Sequence, residues 1–172
     1  ESSLEARSAA GAGDFWVSRT ILVVKEVQMA TIDQIALDEY ASSLRGELVR
    51  PGDQGYEEHR RVWNGSIDRY PALIARCAGV ADVIEAVRFA RSHDLLVAVR
   101  GGGHSYPGYS VCDGGMVIDL SLMKGIRVDP EAQTVRAQAG VLLGELDRET
   151  QAFGLAVPAG FISVTGLAGL TL

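Results

Sequence analysis

The chain has 172 residues, 16 of them basic and 22 acidic, for a formal net charge of −6. That balance lacks the basic face of a nucleic-acid binder and excludes nucleic acid as a partner. With 47% hydrophobic and 22% charged residues, the chain suits one globular domain that buries a real core.

Residues 1–28 show no convincing period. Their one apolar run, Ile21-Leu22-Val23-Val24, is too short for a signal-peptide core or a membrane span. This stretch reads as a non-native or upstream leader ahead of Met29. Residues 29–66 read as a helical lead-in. An amphipathic helix is predicted over 32–48, with Ile32, Ile35, Ala36, Tyr40 and Leu44 near helical spacing, and Pro51-Gly52-Asp53 breaks it. Residues 55–66, which include Tyr56, His59 and Trp63, are polar and basic and lead into the domain. His59 and His93 read as histidines on solvated helix faces. A strand is expected over 73–76, then a helix over 81–93 whose apolar stripe is Val83, Ile84, Val87 and Ala90. A second strand follows over 95–99. Strand, helix, strand predicts a right-handed crossover between parallel neighbours.

That strand feeds directly into Arg100-Gly101-Gly102-Gly103-His104-Ser105, followed by Tyr106-Pro107-Gly108. Consecutive glycines let backbone N–H groups converge, because no Cβ blocks close approach, and such a concavity suits an anion. His104 adds a nucleophilic, titratable nitrogen at its lip. A dinucleotide fingerprint is excluded, since Tyr106 stands where a third glycine is needed and Pro107 spoils the helix start. A Walker A loop is excluded because no lysine follows the glycines. Taken alone, the loop reads equally as a tight turn with a surface histidine.

Beyond it the period changes. Residues 116–120 form a short buried strand. Residues 126–128 and 134–139 flank Asp129-Pro130-Glu131-Ala132, a turn that predicts an antiparallel hairpin, supported by alternation at Val135, Ala137 and Ala139. Leu142, Leu146 and Phe153 suit a helix from about Val141, with Gly154 as its stop. Cys77 and Cys112 form no disulfide framework or metal site and read as buried free thiols. The fold class is α+β: a small βαβ piece, then the start of a larger antiparallel sheet. The uncharged stretch after Glu149 is long enough for a membrane anchor. Pro158, the recurring glycines Gly154, Gly160, Gly166 and Gly169, and the lack of a basic flank oppose that reading. The apolar end, Gly169-Leu170-Thr171-Leu172, reads as a truncation that leaves aggregation-prone surface uncovered.

Several ordered blocks carry a resemblance. They are Arg69-Tyr70-Pro71, Val80-Ala81-Asp82-Val83, the 100–105 loop, Asp113-Gly114-Gly115-Met116-Val117-Ile118-Asp119-Leu120-Ser121 and the stretch 154–172. Together they resemble the FAD-binding domain of the vanillyl-alcohol oxidase / p-cresol methylhydroxylase type. Within it they are most similar to the berberine-bridge-enzyme-like and 6-hydroxy-D-nicotine-oxidase-like flavoproteins. The resemblance implies that residues 67–172 are an FAD-binding domain, incomplete at the C-terminus. It implies FAD held through its pyrophosphate by Arg100, Gly101, Gly102, Gly103 and Ser105 with Gly108, and bonded covalently through His104 to its 8α-methyl carbon. Pro158, Ala159, Gly160, Val164, Thr165 and Gly166 would line the flavin and its diphosphate. Arg100 is open to a second role, pairing with a nearby carboxylate.

Relatives with two flavin links use a cysteine after a Pro-Ala-Gly-like turn; Ile162 stands there in this chain, so one link is implied. No metal and no catalytic base are assigned, and Asp113 and Asp119 read as turn and strand-end hydrogen-bond acceptors. The implied function is the N-terminal part of a cytoplasmic FAD-dependent oxidase. It would oxidise a small organic substrate at a C–O or C–N centre and pass electrons to an acceptor such as dioxygen, with no membrane partner. The alternatives are a non-catalytic flavin- or nucleotide-binding module and a membrane-tethered domain that uses the apolar tail.

Overall fold

The computed structural model describes residues 32–172, so the leader expected over residues 1–28 lies outside the described residues. Helix α1 (Gln34–Ser43) is shorter than the 32–48 helix expected. Its phase is set by Asp33, whose carboxylate accepts the Ile35 N–H at 3.3 Å as an N-cap. Leu37 and Tyr40 face the core, whereas Ile35 of the predicted stripe is exposed. The chain leaves the helix at Leu44, whose backbone is extended, and Gly46 then lies so close to the Arg76 carbonyl that an added Cβ would overlap it. The helical lead-in therefore contains a strand, β1 (Glu47–Val49), which adds antiparallel to β2 (Leu73–Arg76). Between them runs the short α2 (Tyr56–Arg60), anchored by the buried Tyr56 hydroxyl donating to the Pro71 carbonyl at 2.7 Å.

Helix α3 (Val80–Ser92) buries Asp82, Ala86, Phe89 and Ala90. That corrects the predicted stripe, because Ile84 and Val87 are 46% and 51% exposed. Asp82 decides the rotation. Its carboxylate accepts the N–H groups of Arg45 and Gly46 at 3.0 Å and of Ala78 at 2.7 Å, so this face of the helix must meet the β1 lead-in. Burial pushes the Asp82 carboxyl up, but the three N–H donors and the Arg45 charge outweigh it and hold the group below the usual carboxylate range. The two histidines are also corrected. His93 ends α3 half-buried, its ring tilted on Phe89 at 4.2 Å. His59 is half-buried with Nε2 3.2 Å from Arg76 Nη1.

Strand β3 (Val97–Arg100) follows, then β4 (Met116–Asp119), and the sheet order is β1-β2-β4-β3. The strands joined by α3 are both parallel to β4, as a crossover requires, but they are not neighbours, since β4 lies between them. All four β4 residues are buried, which suits a central strand covered on both faces; β3 alternates exposed and buried, as an edge strand can. One face of the sheet packs Leu73, Ala75, Met116 and Ile118 against Tyr40, Ala86 and Phe89. The other packs Ile74, Ala98 and Val117 against Tyr56, Val111 and Cys112. Both cysteines are buried and free, as expected, and burial pushes the Cys77 thiol up to about 12.

The hairpin forms as predicted from β5 (Ile126–Asp129) and β6 (Thr134–Ala137). Helix α4 (Leu143–Gln151) starts after Leu142, whose N–H is taken by the Glu145 carboxylate at 2.7 Å, and Phe153 lies outside it, exposed. A last short helix, α5 (Leu167–Thr171), closes the described chain. The architecture is α+β, a small mixed sheet followed by an antiparallel pair. Among the described residues no helix is long and apolar enough to cross a membrane.

Beside α3 the core leaves a tyrosine hydroxyl uncompensated. Tyr40 stacks on Phe89 with centroids 4.2 Å apart, and its buried hydroxyl has no hydrogen-bond partner. Tyr40→Phe should keep the stack and remove an unpaired hydroxyl, leaving stability unchanged or raised by about 1 kcal/mol. The urea midpoint at constant m reads this; a clear fall would show that the hydroxyl is paired.

Candidate functional site: a cleft between two glycine segments

Arg100 closes β3 and is buried. Its Nη2 donates to Asp119 Oδ2 at 2.5 Å, and its Nη1 donates to the carbonyls of His59 and, at 3.2 Å, Arg61. Asp119 is fully buried at the end of β4, and its other oxygen accepts the Ser121 N–H at 2.9 Å. Burial pushes the Asp119 carboxyl up, yet the Arg100 hydrogen bond and charge and the Ser121 N–H prevail and hold it below the usual carboxylate range. Arg100 thus takes the carboxylate partner that sequence left open. Asp113, like Asp119, serves a loop hydrogen bond, accepting the Tyr70 N–H at 2.9 Å.

Past Arg100 the glycines turn the chain against a distant segment. Residues 163–167 pair with 141–144 through Leu143 N–H to Thr165 O (3.0 Å), Gly144 N–H to Ser163 O (2.9 Å) and Leu167 N–H to Val141 O (2.9 Å). This brings Gly166 back-to-back with Gly102. A Cβ on Gly102 would lie 2.5 Å from Gly166 Cα and overlap its nitrogen, and a Cβ on Gly166 would lie 2.8 Å from Gly102 Cα. Neither position has room for any other residue.

The contact forms one wall of a cleft of about 340 Å³. Gly101, Gly102, Gly103, His104, Ser105, Thr165 and Gly166, seven of the residues assigned from sequence, line it, together with Val99, Tyr109, Ser110, Gly169 and Leu170. Arg100 is not among them, and no lysine or arginine is. Gly108 lies behind the loop, packed on Ile67. Pro158, Ala159 and Val164 are exposed and do not line the cleft, and Gly160 packs on the Leu143 and Leu170 side chains. None of the five backbone N–H groups from Gly101 to Ser105 donates to an acceptor among the described residues.

His104 Nδ1 lies 3.3 Å from the Gly102 carbonyl, within reach to donate. Its Nε2 is buried with no hydrogen-bond partner, and so is the Ser110 hydroxyl. The Trp63 indole stacks on the imidazole with centroids 5.0 Å apart and planes 24° from parallel. Ser105 closes the intervening turn, its hydroxyl accepting the Tyr109 N–H at 3.0 Å. Sequence reasoning missed Trp63 and Ser110 as site residues. A large aromatic in a polar, non-periodic segment was the only signal for Trp63, and nothing in the local pattern marks Ser110. With Nδ1–H turned to Gly102, the imidazole leaves a lone pair on Nε2. The arrangement offers a nucleophilic nitrogen beside a row of free amide donors, which is chemistry for an anionic, electrophilic ligand.

Comparison with known proteins gives this geometry a context. The family model of an FAD binding domain matches residues 71–172. The chain is 40% identical over 130 residues to (R)-6-hydroxynicotine oxidase of Paenarthrobacter nicotinovorans, covering 76% of this chain and 28% of that protein. The crystal structure of 6-hydroxy-D-nicotine oxidase from Arthrobacter nicotinovorans superposes with a TM-score of 0.73 at 40% identity, covering 74% of this chain and 28% of that one. BBE-like 1 of Physcomitrella patens superposes with a TM-score of 0.73 at 30% identity, covering 77% and 29%. The chain spans less than a third of the length of each of these relatives.

Two variants test the frame of the cleft. Gly102→Val should cost about 3 kcal/mol or more, because backbone lies where its Cβ must go. Gly65→Ala, where an added Cβ meets nothing within 4 Å, should stay within about 0.5 kcal/mol in the same denaturation assay. Asp119→Asn leaves the buried Arg100 without a counter-charge and should cost about 3–5 kcal/mol. Because the folded-state pKa values of Asp119 and Asp82 are depressed, their stabilisation is full above the ordinary carboxylate range. It should fade as pH drops from about 4 through the depressed values. Asp119→Asn should flatten that acid limb; an unchanged limb would show that Asp119 contributes nothing to it.

Proposed function

The chain belongs to the FAD-binding domain family, and on that footing we propose that it is the N-terminal part of an FAD-dependent oxidoreductase. The whole protein would oxidise a small organic substrate at a carbon bearing oxygen or nitrogen. One observation carries the reading: five consecutive amide N–H groups without partners among the described residues stand beside a histidine whose Nε2 is buried and unpaired. A diphosphate satisfies the first and a bond to the flavin satisfies the second. None of the described residues that line the cleft is cationic, which favours recognition of the pyrophosphate by backbone dipoles.

When bound, FAD supplies the redox chemistry, accepting two electrons from the substrate and yielding them to dioxygen or another acceptor. The remaining work belongs to the chain. The Gly102–Gly166 contact holds the two glycine segments at fixed spacing, so the amide donors are organised before the ligand arrives. His104 donates from Nδ1 to the Gly102 carbonyl and keeps the Nε2 lone pair for the 8α carbon. The Ser110 hydroxyl, buried and unpaired in the same cleft, offers a second polar contact. Ile162, in the position of the second link of doubly attached relatives, cannot form a thioether, so attachment is single.

The protein with its native downstream sequence, folded with FAD and then precipitated in acid, should keep its flavin in the pellet. A tryptic peptide containing His104 should carry the flavin mass, and His104→Ala should bind FAD but release it to the acid supernatant. Flavin wholly in the wild-type supernatant would overturn the covalent link alone. A folded protein that takes up no FAD would overturn the whole reading.

A further inference from the structure

The loop that carries His104 is gripped from outside by one short segment. Trp63 donates its backbone N–H to the Gly103 carbonyl at 3.1 Å and lays its indole on the His104 ring. Asn64 donates from Nδ2 to the Tyr106 carbonyl at 2.9 Å. The amide of Asn64 is itself oriented, because its Oδ1 accepts the Ser66 N–H at 3.1 Å and the Ser66 hydroxyl at 2.7 Å. The histidine is therefore bracketed, with one carbonyl held a residue before it and another two residues after it. Trp63 remains 61% exposed, so burial in the core does not explain its placement. An aromatic this exposed, held by a backbone bond and stacked on the one imidazole in the cleft, is placed for that imidazole.

We propose that Trp63 is a positioning residue for His104. Its indole fixes the plane of the imidazole and screens it from water, so that Nε2 is the nitrogen that reacts, while Asn64 holds the loop on the far side of the ring. This rests on the reading that His104 takes the flavin link. In that attachment one C–H bond at the 8α carbon and one imidazole N–H bond break and one C–N bond forms. The two electrons and two protons released rest on the flavin until dioxygen or another acceptor removes them. Without the indole the imidazole turns about its side-chain torsions, and water solvates the Nε2 lone pair. Both effects slow attachment, and neither changes the amide donors that hold the diphosphate.

The test uses the protein with its native downstream sequence, prepared without FAD, and follows acid-stable flavin against time after FAD is added. Trp63→Ala should slow attachment roughly ten- to hundredfold, and Trp63→Phe, which restores a ring face, should recover most of the rate. In a His104→Ala background, Trp63→Ala should leave the affinity for non-covalent FAD nearly unchanged. The His104 ring protons should lie upfield in the wild-type proton NMR spectrum, under the indole ring current, and move downfield in Trp63→Ala. Attachment at the wild-type rate in Trp63→Ala overturns the proposal while leaving the covalent reading intact. A parallel loss of rate, FAD affinity and melting temperature also overturns it, since that is the mark of a structural role only. If the wild type binds FAD and never attaches it, the covalent reading fails and the proposal falls with it.

Discussion

The site depends on two glycines touching. Gly102 lies within the turn after β3, Gly166 precedes α5, and their backbones approach to a separation that no Cβ permits. Everything that forms the cleft follows from this contact. The mixed sheet delivers one wall through β3, and the segment paired with the start of α4 delivers the other. Glycine loses more conformational freedom on folding than other residues. Four backbone hydrogen bonds and one stacked pair around the contact offset that loss: three between 141–144 and 163–167, one from Trp63 to Gly103, and the indole on His104.

Charge is kept out of the cleft and used beneath it. Arg100, the cation nearest the glycines in sequence, is spent on Asp119 and on two carbonyls from the end of α2 and the residues after it. A buried pair of this kind is weak grounds for stability by itself, because desolvation opposes the attraction. Its effect is geometric. It ties the C-terminal ends of β3 and β4 together and fixes where the glycine turn begins. In the proposed function anion recognition falls to amide dipoles, on backbone that the ion pair and the glycine contact both hold.

Elements whose signal is local lie where the sequence puts them. Strand β2, the hairpin of β5 and β6, and the buried run of β4 fall close to where alternation, apolar runs and turn residues put them. The match is weaker where a distant group sets the phase. The apolar period of α3 marks Val83, Ile84, Val87 and Ala90, and Ala90 is buried; Ile84 and Val87 are exposed because the Asp82 carboxylate turns the helix to reach the amides of Arg45 and Gly46. Strand β1 is three residues long and carries no alternation of its own; it exists because β2 offers it an edge. Similarly, the crossover gave parallel direction, while the insertion of β4 between β2 and β3 came from burial on both of its faces.

The chemistry of the loop is written in its own residues. Three glycines and a histidine after an apolar strand specify free amides and an imidazole nitrogen, because these properties belong to the residues wherever the fold carries them. The order of the blocks around that loop determined the family. Only the tertiary structure decided which residues surround the histidine. Trp63 arrives from before the sheet, Ser110 from the returning turn and Gly166 from beyond the hairpin, and Arg100 turns away to Asp119. Contacts between residues far apart in the chain are fixed by packing and pairing. They leave no period in the sequence to read.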